Sequence, residues 1–172
     1  MKIVVILHNI RSTYNVGAIL RSCDGFGVDE VIISGYTPKY NDPTLLPHLR
    51  EKLNKQIAKV ALGAEKSVLQ RSVTDVPEFL DALRSDGFTV VGLENNIPDE
   101  RLVELRKLPK NDKIALLLGE EVSGIADALY PQIDVFAEIS MRGEKESFNV
   151  SVAAGIALYE LRRWVDKSPI FC

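Results

Sequence analysis

Short runs of apolar, often β-branched residues alternate along this chain with segments of helical periodicity. Runs such as 3–7 (IVVIL) and 114–118 (IALLL) are apolar at every position, which is typical of strands buried on both faces. The alternation predicts an α/β fold, a mostly parallel sheet with helices on both faces. The predicted strands are 3–7, 30–34, 67–73, 88–94, 112–121 and 133–140, and the predicted helices are 13–27, 51–65, 76–87, a short segment near 124–130, and 149–165.

One long segment departs from the alternation. Residues 36–50 contain Pro38, Pro43 and Pro47, so the sequence predicts an irregular loop there rather than a helix or strand.

Composition bounds the class of protein. The chain has 172 residues, 46% of them apolar and 26% charged, as expected for one domain over 1–172. Two cysteines, Cys23 and Cys172, are too few for a disulfide framework, and no Cys/His spacing suggests a metal site. The first apolar run is too short for a signal peptide or a membrane span, so we expect a cytoplasmic protein. A net charge of −3 argues against a generally basic surface but allows a local basic patch.

Ligands of open α/β sheets bind beyond the carboxyl ends of the strands, so three unusual loops there are the candidate site. They are 8–27, 116–125 and 139–155. None contains the G-x-G-x-x-G of a dinucleotide site, the lysine loop of a P-loop nucleotide site or a G-x-S-x-G elbow. Dehydrogenase, ATPase and hydrolase functions therefore lack their usual sequence support.

The first loop leads into a helix on which Arg21 points away from the apolar stripe. Gly17 and Gly25 flank Arg21 at a distance of four residues on either side. The glycines could let a ligand approach the guanidinium closely, or they could serve packing and capping while Arg21 is solvated. The residues alone leave both interpretations open.

The other two loops have the same ambiguity. The turn 119–124 (GEEVSG) places two carboxylates just beyond a buried strand, where they could bind a ligand or simply be solvated. In the third loop, either Ser147 or Asn149 could cap the last helix. Capping explains one of these residues, but not the concentration of Ser147, Asn149, Met141 and Arg142 in one loop.

Taken together, the three loops resemble the SpoU (TrmH-type) branch of the SPOUT RNA methyltransferases. The first motif of that family reads here as NVGAILR, with Asn15, Gly17 and Arg21. The second reads LLLGEEVSGI and the third ISMRGEKESFNVSVAAG. The matching positions in these two are Gly119, Glu121, Gly124, Ile139, Met141, Ser147, Asn149 and Ser151.

The resemblance implies a deep C-terminal trefoil knot, a homodimer, and bound S-adenosylmethionine that leaves as S-adenosylhomocysteine. The implied reaction is 2′-O-methylation of a ribose in tRNA or rRNA, without a metal. A base-modifying methyltransferase of the same superfamily and a catalytically silent RNA-binding dimer are the alternatives. By resemblance, the catalytic residues are Arg21, Asn15, Glu121, Ser147 and Asn149, and the cofactor-binding residues are Leu118, Gly119, Ile139, Met141, Ser147 and Phe148.

Two positions raise questions of their own. A guanidinium is a poor general base at neutral pH, so we expect Arg21 to clamp a phosphate and stabilise the developing alkoxide. Glu120 stands where many relatives have a small residue, and its role is open. The segment 39–71 is locally basic, and the predicted RNA-binding residues are Arg11, Arg21, Lys39, Arg50, Arg142 and Lys145.

Overall fold

A computed structural model describes residues 1–163 of the chain. Seven strands form one sheet in the order β3-β2-β1-β6-β4-β7-β5, and all of their pairings are parallel. The predicted α/β class is confirmed. The strands are β1 Lys2–His8, β2 Glu30–Ser34, β3 Gln70–Val73, β4 Thr89–Leu93, β5 Leu102–Glu104, β6 Lys113–Leu118 and β7 Val135–Glu138.

The apolar runs occupy the centre of the sheet, as their composition predicts. Ile6 of β1 pairs with Ile32 of β2 on one side and with Leu117 of β6 on the other, and all three are fully buried. A parallel sheet covered on both faces requires apolar residues at every position of its central strands.

Helices cover both faces of the sheet. The helices α1 Thr13–Gly25, α2 Pro47–Ala61, α3 Ala64–Ser67 and α5 Val150–Arg162 contribute to the core on one face. The helix α4 Val76–Ser85 and the 3-10 helix Asp127–Gln132 contribute to the core on the other face. No helix within residues 1–163 is long and apolar enough to cross a membrane.

The observed ends of the helices and strands differ from the predicted ones at several places. Residues 36–50 are not all loop, because α2 begins at Pro47, and proline is favoured in a first helical turn where its missing N–H costs nothing. The helix predicted over 51–65 breaks at Leu62 and Gly63, which both have positive φ. The strand β5 and a 3-10 helix at Leu105–Lys107 were not predicted. The part of the last predicted helix at 164–165 lies outside the described residues.

The glycines around Arg21 have a structural explanation. A Cβ at Gly17 would lie 2.5 Å from the carbonyl oxygen of Ile57, so Gly17 lets α1 approach α2 closely. Gly25 ends α1 in open space. For Gly17, packing rather than ligand access is the correct interpretation.

Candidate functional site

The loops after β1 and β6 are joined by the carboxylate of Glu121. Its two oxygens accept hydrogen bonds from the main-chain N–H groups of Arg11 (3.0 Å) and Ser12 (3.2 Å). One of them also accepts from the Asn15 side chain at 3.0 Å. Ser12 caps α1, so Glu121 holds the start of that helix against the turn after β6.

The third loop joins this network through Asn149. Its Nδ2 donates to Oδ1 of Asn15 at 3.2 Å, while its Oδ1 accepts from the main-chain N–H of Ser151 at 2.9 Å and so caps α5. Asn149 is therefore the helix cap of this loop. The hydroxyl of Ser147 has no hydrogen-bond partner within residues 1–163 and lines the cavity described below.

The turn after β6 is closely packed against the loop after β4. Glu120 and Gly124 exchange two main-chain hydrogen bonds of 3.0 Å, which fold residues 119–124 back on themselves. Gly124 has a φ of +69°, and a Cβ there would lie 2.2 Å from a carboxylate oxygen of Glu94. A Cβ at Gly119 would lie 2.4 Å from the carbonyl carbon of Gly124, so this turn requires both glycines.

The loop after β4 supplies residues that sequence reasoning missed. Asn95 accepts from the N–H of Ile139 at 3.0 Å and donates to the carbonyl oxygens of Ile139 (2.9 Å) and Glu146 (3.2 Å). One amide side chain thus holds both ends of the segment 139–146. The signal in the sequence was the polar pair at 94–95 directly after a buried strand.

The loops after β4, β6 and β7, together with the start of α5, form a cavity of about 370 Å³ at the carboxyl edge of the sheet. Asn15, Arg21 and Met141 do not line it. Of the residues predicted for the catalytic and cofactor sites, the ones that line it are Leu118, Gly119, Glu121, Ile139, Ser147, Phe148 and Asn149.

The cavity is acidic and partly apolar. Among residues 1–163, Glu94, Glu120 and Glu121 line it, and no lysine, arginine or histidine does. Partial burial tends to raise the pKa of Glu121, but hydrogen bonds from Arg11, Asn15 and Ser12 outweigh burial and lower it. The pKa of Glu120 is lowered chiefly by the Ser123 hydroxyl. Both groups are ionised at neutral pH, so the cavity suits a cation better than a phosphate.

Arg21 is separated from the cavity within one chain. It lies six residues after Asn15 on α1, a displacement of about 9 Å along the helix axis. Its side chain is exposed, without a hydrogen bond or ion pair to any residue from 1 to 163.

The cations predicted to bind RNA fall into two groups. Arg11 forms an ion pair with Glu120, and its guanidinium carbon lies 5.9 Å from the centroid of the Tyr36 ring. The other five have no ion-pair partner in the described part of the chain, and they are Arg21, Lys39, Arg50, Arg142 and Lys145.

The chain is similar in sequence to known RNA methylases. The sequence model of the SpoU rRNA Methylase family matches residues 2–159. The 23S rRNA (guanosine-2′-O-)-methyltransferase RlmB of Coxiella burnetii is 34% identical over 161 residues, which are 94% of this chain and 58% of RlmB. The chain thus spans little more than half the length of that relative.

Solved structures show the same fold. An AdoMet-bound rRNA methyltransferase from Sinorhizobium meliloti superimposes with a TM-score of 0.79 at 25% identity, over 95% of this chain and 57% of that one. The TrmH/SpoU tRNA modifying enzyme of A. aeolicus gives a TM-score of 0.76 at 25% identity, over 94% of this chain and 74% of that one.

Proposed function

Because this chain belongs to the SpoU rRNA methylase family, we propose that it transfers the methyl group of S-adenosylmethionine to a ribose 2′-hydroxyl of RNA. The observation that carries the proposal is the cavity at the carboxyl edge, whose charged lining residues within 1–163 are Glu94, Glu120 and Glu121. S-adenosylmethionine carries a sulfonium and an ammonium group, which such a cavity favours, whereas a nucleotide phosphate would be repelled.

The residues present fit this cofactor. Leu118, Ile139 and Phe148 offer apolar surface for an adenine ring, and the cavity of about 370 Å³ is in the range of small-molecule sites. Asn95 already occupies the N–H of Ile139, so we assign Ile139 a side-chain rather than an N–H contact with the cofactor. Met141 does not line the cavity, which makes its predicted cofactor contact the weakest of the set.

The bound cofactor supplies a methyl group that its sulfonium charge has already activated. The chain's own residues must then align the ribose hydroxyl and stabilise its oxygen as the proton passes to solvent. We assign the alignment to Ser147, with its free hydroxyl at the cavity, and to the hydrogen-bonded residues Asn15, Glu121 and Asn149. Arg21 is proposed to clamp the adjacent phosphate and stabilise the alkoxide.

We propose that the active form is a homodimer. Arg21 lies six residues along α1 from Asn15, less than two helical turns, and does not line the cavity of its own chain. A second copy packed against α1 and α5 could bring its Arg21 to this cavity. Exposed apolar side chains at Tyr14, Val152 and Tyr159 on these helices support an interface there.

The substrate is proposed to be tRNA or rRNA in the cytoplasm, bound through Lys39, Arg50, Arg142 and Lys145 as phosphate contacts. The trefoil knot also stays a proposal. It is supported by α5 packing beside α1 after the segment 139–146, which Asn95 ties to the loop after β4.

The test is methyl transfer from labelled S-adenosylmethionine to tRNA and rRNA pools, comparing wild type with Arg21→Ala. We expect label in one pool, resistance of the adjacent 3′ linkage to alkaline hydrolysis, and loss of label in the variant. Label on a base would instead identify a base methyltransferase. RNA binding without transfer to either pool would favour a silent binding protein.

A further inference from the structure

Tyr36 is an exposed aromatic residue on a turn whose backbone is fixed on both sides. Tyr36 is 52% exposed, yet the nearby Ser34 and Thr37 are buried. The Thr37 hydroxyl accepts from the N–H of Ile10 and donates to the carbonyl oxygen of Leu7, both at 3.0 Å. Asn9 Oδ1 accepts from the N–H of Tyr36 at 3.3 Å. These bonds fix the backbone of the turn, which presents the ring to solvent.

This ring is tied to the cofactor cavity through Arg11. The guanidinium of Arg11 lies 5.9 Å from the ring centroid and forms an ion pair with Glu120, which lines the cavity. The main-chain N–H of Arg11 donates to Glu121, another lining residue, at 3.0 Å. Tyr36 and Arg11 thus stand beside Glu120 and Glu121 of the cavity lining, although neither of them lines the cavity itself.

The local charge favours a neutral group over a phosphate. The guanidinium of Arg11 pairs with Glu120, and the Glu121 carboxylate, which accepts from the main-chain N–H of Arg11, adds a second negative charge nearby, so the cluster carries a net negative charge. A phosphate would be repelled there. A nucleobase is neutral and offers a π-face that stacks on tyrosine or on a guanidinium plane, which is how proteins hold unpaired RNA bases.

We propose that Tyr36 and Arg11 form a stacking site for an unpaired RNA base next to the target nucleotide. This inference rests on the proposed function and revises the predicted role of Arg11 from a phosphate contact to the support of a base platform. Glu120 receives a role as well, because its carboxylate holds Arg11 in place beside the ring.

The experiment measures RNA affinity as a function of salt. Fluorescently labelled unfractionated tRNA and a mixed-sequence single-stranded RNA oligonucleotide are titrated with wild type, Tyr36→Ala, Tyr36→Phe and Arg11→Ala in the presence of S-adenosylhomocysteine. Loss of one stacked base weakens binding about 5- to 150-fold. We expect Tyr36→Ala to fall in this range, Tyr36→Phe to retain most of the affinity, and the slope of log Kd against log salt to stay that of wild type.

Controls separate stacking from folding. Leu69→Ala removes another exposed apolar side chain, just before β3 at the opposite, amino edge of the sheet, and should leave the affinity within about twofold of wild type. S-adenosylhomocysteine affinity should be the same for Tyr36→Ala as for wild type. If Tyr36→Ala does not fold, Tyr36→Leu compared with Tyr36→Phe makes the same test, since leucine is apolar but cannot stack as a ring.

Two results would overturn the inference while the proposed function stood. One is unchanged RNA affinity of Tyr36→Ala together with normal methyl transfer by wild type. The other is a salt slope for Arg11→Ala reduced by about one, which identifies a phosphate contact. Wild-type protein that neither binds RNA nor transfers a methyl group would overturn the proposed function and this inference together.

Discussion

Asn15 and Asn149, 134 residues apart in sequence, join the first turn of α1 to the N-cap of α5 through a 3.2 Å hydrogen bond between their side-chain amides. The same Asn15 side chain donates to Glu121 at 3.0 Å. One short polar residue therefore connects the loops after β1, β6 and β7. A network of this kind fixes the relative position of three loops that are distant along the chain.

Two substitutions at Asn149 separate its roles. Asn149→Ala removes the helix cap and should lower the free energy of unfolding by about 1 kcal/mol, measured by urea denaturation. Asn149→Asp keeps an acceptor for the N–H of Ser151 but gives Asn15 a carboxylate on both sides. We expect Asn149→Asp to keep the stability and lose about tenfold or more in kcat/KM. Equal activity of Asn149→Asp and wild type would show that the link to Asn15 has no catalytic role.

The Glu121 carboxylate makes stability depend on pH. Its pKa in the folded protein is below the ordinary value of 4.5, because the hydrogen bonds it accepts outweigh its partial burial. A carboxylate with a lowered folded-state pKa stabilises the protein above its unfolded-state pKa, and this stabilisation is lost as the pH falls through the folded-state pKa. The difference in unfolding free energy between wild type and Glu121→Gln should be constant above about pH 5 and shrink below 4.5. A difference independent of pH down to acid unfolding would contradict this.

The turn after β6 should not tolerate a side chain at Gly124. Its positive φ and the 2.2 Å approach of a Cβ to the Glu94 carboxylate make Gly124→Ala strained, at a cost of more than about 1 kcal/mol. S-adenosylhomocysteine binding, measured by calorimetry, should weaken at the same time because the turn lines the cavity. Gly143→Ala is the matched control, since none of residues 1–163 places an atom within 4 Å of a Cβ there.

Asn95 is expected to act as a positioning residue for the segment 139–146. Asn95→Ala removes its hydrogen bonds to Ile139 and Glu146 and should raise the Kd of S-adenosylhomocysteine about tenfold or more. Asn96 makes one bond of 3.3 Å to the same carbonyl of Glu146, so Asn96→Gly, which also allows its positive φ, should have a much smaller effect. Similar Kd values for the two variants would assign no special role to Asn95.

The proposed dimer can be tested by mixing two variants that each lower the activity. If Arg21 of one copy serves the cavity of the other, protein refolded from equal parts of Arg21→Ala and Asn149→Asp should regain up to about a quarter of the wild-type rate, because half of the dimers then contain one intact site. If the mixture is dimeric by sedimentation but no more active than the separate variants, Arg21 and the cavity it serves lie in the same chain.

The sequence located best those strands and helices whose residue pattern is compatible with only one kind of structure. β1 and β6 are apolar throughout because they are buried at the centre of a parallel sheet. β5 was missed because Leu102–Glu104 has only three residues, none of them buried, and is held by β7 alone among the described strands. Pro47 was misread because a proline begins a helix as readily as it excludes one, and the residues after the proline decide between the two.

Some residues of the site could be predicted because their residue type alone suggests a role, whereas others could not. Asn149 and Glu121 stand out in the sequence for different reasons. Asparagine is a favoured helix cap, and glutamate places a negative charge in a turn beyond a buried strand. The contacts of Asn95 and the close approach of Gly17 to Ile57 depend on which segments meet in space. No local pattern records that information. Tyr36 was overlooked because an exposed aromatic in a loop carries no periodic signal.

The strand order has a consequence for how the chain folds. β1 comes from residues 2–8, but its inner partner β6 comes from 113–118, so the centre of the sheet joins segments more than one hundred residues apart. During synthesis, one edge of β1 stays unpaired until residues 113–118 have left the ribosome. Pairing at such distances is slow, and an open apolar edge invites association with other chains in the meantime. The site at the carboxyl edge, assembled from the loops after β1 and β6, therefore forms late, and nascent chains of this protein are candidates for chaperone binding.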